Sequence, residues 1–131
     1  MDMQPTIFTK IINGDIPAYK IYEDDKTIAF LDINPVRYGH TLVVPKVQVD
    51  QYIDLADDDY QALWQSVKKV AKHLRDVLQT ERVGVAIKGT DVPHVHVHLM
   101  PFNEGQALYH NDTSPKLTPK EYAELADKLR F

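Results

Sequence analysis

An α+β domain, an antiparallel five-stranded sheet with one long helix plus short N-terminal and C-terminal helices, is the fold class that three features of the sequence predict. Short runs with strand character cluster between residues 20 and 46 and again between 83 and 101. A single long stretch between them carries apolar residues at helical spacing from Tyr60 to Leu78. Turn formers separate the strand runs closely enough for antiparallel neighbours, and the helices are expected on one side of the sheet.

In chain order, Ile7, Phe8, Ile11 and Ile12 have the spacing of a short first helix, which Asn13-Gly14 stops. Three strand runs follow, Lys20 to Glu23, Thr27 to Asp32 and Thr41 to Val44, separated by Asp24-Asp25 and Asn34-Pro35, and they form a meander. From Asp57 the period changes to 3.6. Leu63, Trp64, Val67, Val70, Ala71, Leu74 and Leu78 fall on one face, and Gln61, Gln65, Lys68, Lys72 and Arg75 on another. The acids Asp57-Asp58-Asp59 precede the bases, as the helix dipole favours. Val83 to Ile87 is a fourth strand, joined by the turn Lys88-Gly89-Thr90-Asp91 to a histidine strand in a hairpin. Thr118-Pro119-Lys120-Glu121 combines a cap, a proline at the first helical position and an acid at the third, so a C-terminal helix is expected.

The length of 131 residues bounds the chain to one domain, residues 1–131. A net charge of -4 argues against a general nucleic-acid or membrane surface, which would need a basic excess. With no cysteine, disulfide and thiol chemistry are excluded. The first five residues carry no basic n-region, and no apolar run approaches the roughly 20 residues of a membrane span. A soluble, cytoplasmic protein is expected.

The chemistry concentrates in His94-Val95-His96-Val97-His98, which holds half of the 6 histidines. On a strand, period two puts the three imidazoles on one face and the valines on the other. Alternate residues lie roughly 7 Å apart, whereas zinc wants each nitrogen at about 2 Å, so one ion could take two neighbours but not all three without a bulge. Three histidines that merely fill a strand are improbable, because His is a poor strand former. Chemistry on a phosphate remains: neutral imidazole is a nucleophile near pH 7 and protonated imidazole a donor to phosphoryl oxygen.

The pattern His-apolar-His-apolar-His-apolar-apolar resembles the signature of the histidine triad (HIT) superfamily of nucleotidyl hydrolases and transferases, in particular its Hint and Fhit branches. Ile7 to Pro17, Phe30 to Pro35 and Gly39 to Lys46 are similar to that family's opening helix and next two strands, in the right order. The resemblance spans about residues 7–101, the expected core, and leaves a C-terminal helical extension at about 117–131. It implies a HIT-like fold and a hydrolase that attacks the α-phosphate of a nucleotidyl phosphoramidate or dinucleoside polyphosphate, releasing a nucleoside monophosphate through a covalent nucleotidyl-histidine.

Carried over position by position, His96 is the implied nucleophile, His98 binds phosphate oxygens and assists the leaving group, and His94 supports the site. His40 matches a fourth histidine expected beneath the triad. Phe30 and Ile33, with Ile7, Phe8, Ile11 and Ile16, are implied as the cleft for the base of a purine nucleotide, and Asp32 as the acid that accepts from ribose hydroxyls. Gly89 and Thr90 stand in the phosphate-binding segment before the triad. The resemblance also implies a homodimer, and no metal, cofactor, nucleic acid or membrane is expected at the site. Two positions depart from the pattern. Thr90 replaces a glutamine and Asp91 a serine or threonine, and an ionised Asp91 would repel a phosphate if it pointed inward. Gln48 likewise stands where a further histidine occurs. The competing readings are a nucleotide-binding module with weak or no turnover, for which Asp91 speaks, and a two-histidine metal protein.

Overall fold

In the computed structural model, which describes residues 4–131, the expected elements appear in the expected order. The reading of the extreme N-terminus as free of a leader falls partly on Met1 to Met3, outside the described residues. Helix α1 spans Ile7–Ile12, strands β1 to β3 span Lys20–Glu23, Thr27–Leu31 and Thr41–Pro45, and helix α2 spans Asp57–Leu78. Strand β4 covers Arg82–Ala86, β5 Val97–Phe102 and helix α3 Pro119–Leu129. All pairings are antiparallel, in the order β1-β2-β3-β5-β4, so the histidine-bearing β5 lies between β3 and β4. A 3-10 turn at Tyr52–Asp54, which no pattern announced, leads into α2.

Alternation along the strands divides the sheet into two apolar faces. Ala29, Leu31, Val43, Val97 and Leu99 face α2 and α3, where Leu63, Val70, Leu74 and Leu129 are fully buried. Ile28, Phe30, Leu42 and Val44 face the other way and pack on Phe8 of α1. The helices are therefore not all on one side, which corrects the expectation drawn from the pattern. Helix α1 covers the opposite face, because Phe8 completes a second small core there. The acids at the start of α2 occupy its first turn, where no side chain caps the N-terminus, and Asp58 and Asp59 pair with Lys26. The capping box of α3 forms as expected, with Thr118 and Glu121 each bonding the other's backbone N–H.

The second correction concerns the histidine segment. Strand β5 starts only at Val97, so His94 and His96 precede it, and the link from β4 is the excursion 87–96 in place of a tight turn. Pro93 has no N–H for a ladder, and the His94 amide is taken by the carbonyl of Val92 and that of Val95 by Val49. The two-faced alternation survives nonetheless: Val95 and Val97 enter the core and the imidazoles turn away from it.

Two glycines position the loops around the histidines, and they predict different costs. Gly39, at φ +85, immediately precedes His40, and a Cβ there would run into Leu78 Cδ1. Gly89, at φ +81, has open space. Gly39→Ala should cost about 3 kcal/mol through left-handed backbone plus overpacking, and Gly89→Ala only about 1 kcal/mol through backbone alone. Urea midpoints of the two variants check this, and equal losses would contradict it.

Candidate active site

Backbone groups set the protonation of each buried imidazole. A carbonyl only accepts and a backbone N–H only donates, so either one fixes which ring nitrogen carries the proton. His96 Nδ1 lies 2.7 Å from the His94 carbonyl and must donate to it, which leaves the lone pair of the neutral ring on Nε2. That Nε2 is buried and takes no hydrogen bond. His94 donates from Nε2 to the Pro45 carbonyl at 2.8 Å, and its Nδ1 accepts from the Thr6 hydroxyl at 2.8 Å. Burial pushes the His94 pKa down, in keeping with a neutral ring.

His40 works in the opposite sense. Its Nδ1 accepts from the Val36 amide at 3.0 Å, so its proton sits on Nε2 and is donated to His98 Nδ1 at 2.9 Å. His98 consequently carries its own proton on Nε2, which is buried and unpartnered. Burial lowers both pKa values from 6.5 to about 4. The two triad members thus present complementary atoms, a bare nitrogen on His96 and an N–H on His98, with ring centroids 5.1 Å apart.

Two carboxylates attend these rings. Asp32 Oδ2 lies 3.4 Å from His40 Nε2 and 3.9 Å from His98 Nδ1, and burial raises its pKa. Its backbone is braced from the C-terminal extension, because the Tyr122 hydroxyl of α3 donates to the Asp32 carbonyl at 2.9 Å. Asp91 Oδ1 lies 3.2 Å from His96 Nε2 without an aligned hydrogen bond, so the carboxylate does point inward. Burial works against ionisation of Asp91, but its own backbone N–H and the charge that His96 and His98 carry when protonated outweigh it and hold its pKa below the ordinary value.

A cavity of about 500 Å³ opens onto this group, lined by Asp32, His40, Lys88, Asp91, His98 and Tyr109 among others. Of the expected base-binding residues, Phe8 and Phe30 come together, ring centroids 5.7 Å apart, with Phe8 edge-on to His96 at 4.9 Å. Ile7 and Ile33 are exposed, and Ile11 and Ile16 half-buried. Gly89 and Thr90 line a separate cavity beside Asp50 and Tyr52, which leaves Lys88 and Asp91 as the loop residues facing the histidines.

Several contributors carried no local signal. Thr6 and Thr9 tie α1 to His94, and Gln48 accepts from Thr9 at 2.6 Å and donates to the Gln4 carbonyl. Leu108, Tyr109 and His110, in the loop after β5, wall the cavity. His110 was findable only as the one histidine downstream of the triad.

Asp32, His40 and His98 offer ligand atoms within 4.8 Å of one another, a spacing that would suit a tetrahedral ion. The chemistry does not fit. The Val36 amide points at His40 Nδ1 and forces the proton onto Nε2, the atom an ion would need bare.

The HIT domain model matches residues 13–105. The chain belongs to the HIT domain family. This HIT protein is 43% identical over 103 residues to a HIT-like protein of Methanocaldococcus jannaschii, covering 76% of this chain and 80% of that one. It is 36% identical over 128 residues, 94% of either chain, to the adenosine 5'-monophosphoramidase of Schizosaccharomyces pombe. Its fold matches a Hit-like protein involved in cell-cycle regulation from Bartonella henselae with a TM-score of 0.81, at 34% identity and 95% and 94% coverage. It also matches a zinc-bound histidine triad family protein of Mycobacterium smegmatis, with a TM-score of 0.78, 29% identity and 95% and 89% coverage. Among the described residues of the HIT chain no helix is long and apolar enough to cross a membrane.

The depressed pKa values make a stability prediction. His40 and His98 titrate near 6.5 when unfolded and near 4 when folded, so the unfolded chain binds more protons between these values. Their contribution is full above pH 6.5 and is lost as pH falls toward 4, on the order of 3 kcal/mol for each ring. Asp32, with its raised pKa, acts with the opposite sign in the lower part of that window. Urea midpoints measured from pH 7 to pH 4 should fall, and the slope should be shallower in His40→Gln; a flat wild-type profile would contradict the assignment.

Proposed function

We propose that the protein is a nucleotidyl hydrolase that transfers the nucleotidyl group of a phosphoramidate or dinucleoside polyphosphate to His96 and then to water. The observation that carries this reading is the His96 Nε2 lone pair, bared by the donation of Nδ1–H to the His94 carbonyl. A rigid imidazole presented in this way is an activated nucleophile without any need for a separate base. The similarity to an adenosine 5'-monophosphoramidase over nearly the whole chain supports the same class of substrate.

In the first step His96 Nε2 attacks the α-phosphorus, the bond to the leaving nitrogen or oxygen breaks, and the leaving group takes the proton of His98 Nε2. His98 takes a proton at Nδ1 from His40 Nε2, and His40 is refilled from the carboxyl group of Asp32, whose protonated form burial favours. In the second step water attacks phosphorus and gives a proton to His98 Nε2, the relayed protons return from His98 to His40 and from His40 to Asp32, and His96 leaves phosphorus as the nucleoside monophosphate is released. Lys88, which lines the cavity, is the nearest loop cation for phosphate oxygens.

We assign Phe8 and Phe30, together with Ile7, Ile11, Ile16 and Ile33, to the purine base, and Asp32 to the ribose. Flat apolar contacts of this kind grip a ring with modest base selectivity. Gly89 and Thr90 remain our candidates for amide contacts to phosphate. Homodimerisation through the β4 edge, where Val85 is exposed, and a cytoplasmic setting complete the reading.

A second reading, a nucleotide-binding module with weak turnover, is favoured by one observation, the Asp91 carboxylate standing at His96 Nε2. Rapid quench with a radiolabelled phosphoramidate separates the two. A labelled enzyme intermediate should accumulate in wild type and be absent from His96→Ala, whose kcat/KM should fall at least about a thousandfold. Tight nucleotide binding with no labelled intermediate and no release of nucleoside monophosphate would establish the binding module instead.

A further inference from the structure

We propose that Asp91 is the specificity-determining residue for the charge of the leaving group, admitting a nucleotidyl group joined to a neutral or cationic amine and rejecting one joined to a further phosphate chain. The proposal rests on the nucleotidyl-transfer reading above and chooses between its two substrate classes.

Three observations carry it. First, Asp91 lines the cavity together with His98 and stands 3.2 Å from the buried His96 Nε2. Phosphorus that passes from the cavity to the nucleophile therefore comes up against this carboxylate. Second, the contact is off the hydrogen-bonding line, so the nitrogen lone pair is flanked and not consumed. The acid stays beside the reacting phosphoryl group, on a short side chain that cannot carry its charge far. Third, nothing nearby compensates for a polyanion. Among the described residues Lys88 is the one lysine or arginine lining the cavity, and His40 and His98 are held neutral by burial. A phosphate chain would bring several negative charges against one lysine and the Asp91 carboxylate, whereas an ammonium-bearing amine would find Asp91 as its counter-ion.

The test compares the full-length wild type with Asp91→Asn and the charge-preserving Asp91→Glu, using two independent readouts. In turnover, kcat/KM is measured for the adenosine 5'-phosphoramidate of an aminoalkyl ammonium and for a diadenosine polyphosphate. Wild type and Asp91→Glu should prefer the phosphoramidate about a hundredfold, and Asp91→Asn should shrink that preference at least about tenfold. In binding without turnover, calorimetry in EDTA compares AMP with ATP. The penalty that the extra phosphates impose on wild type should narrow by a similar factor in Asp91→Asn.

An equal change toward all ligands, or no change in either ratio, would overturn the role of Asp91 while leaving His96-dependent turnover intact. Conversely, no turnover of any compound by wild type, together with an AMP-to-ATP penalty that narrows in Asp91→Asn, would remove the hydrolase reading and sustain the charge selection.

Discussion

The hydrogen bond from His96 Nδ1–H to the His94 carbonyl is the constraint on which the rest of the site depends. It decides which nitrogen of a buried imidazole is bare, and a histidine without that decision would divide its time between a nucleophile and a donor. The bond exists because this stretch leaves the sheet. In a paired strand the His94 carbonyl would belong to a ladder, but the pairing of β5 with β3 runs only from Val97 onward, so the carbonyl is free to receive the ring two residues ahead. His94 is in turn held by the Pro45 carbonyl at the end of β3 and by Thr6 at the cap of α1. The orientation of one nitrogen thus draws on three separate parts of the chain.

The same logic produces opposite polarity two residues later. His98 has an imidazole partner, and the Val36 amide acting through His40 places the proton of His98 on its buried, unpartnered Nε2. Identical side chains become acceptor and donor because one reads a carbonyl and the other, at one remove, reads an amide. Burial makes the division durable, since it penalises the charged forms that would erase it. Asp91 is the exception in this environment: it is more exposed than the rings and stays ionised beside them, which introduces a charge that the histidines do not share.

Those parts of the fold that rest on nearest neighbours were legible before any coordinates. The 3.6-residue period of α2, the Thr118–Glu121 box of α3 and the Asn13-Gly14 stop of α1 are local physical signals, and each element lies where its signal is. The side of the sheet taken by α1 was not legible, because an amphipathic turn shows that it has an apolar face and not which apolar face it meets. The start of the triad outside the ladder was not read, because the alternation of valine and histidine has the period of a strand. His40 was placed near the triad through family resemblance alone. Gln48 was marked only by its place in the family pattern, and Thr6, Tyr109 and His110 reach the site from far along the chain and carried no signal in their own neighbourhoods.

By itself, then, the sequence determined the inventory: three imidazoles on one side of an alternating segment, a family of fold, and an aspartate where a neutral donor was expected. The imidazoles follow from residue type and spacing, and the other two from the resemblance to the HIT family; all are properties of the chain. What only the tertiary structure decided is the state of each group, namely which nitrogen of each ring is bare and whether Asp91 faces the nucleophile. Protonation and direction are set by partners up to 88 residues away, such as Thr6 against His94, and contacts over that separation exist only once the chain has closed on itself.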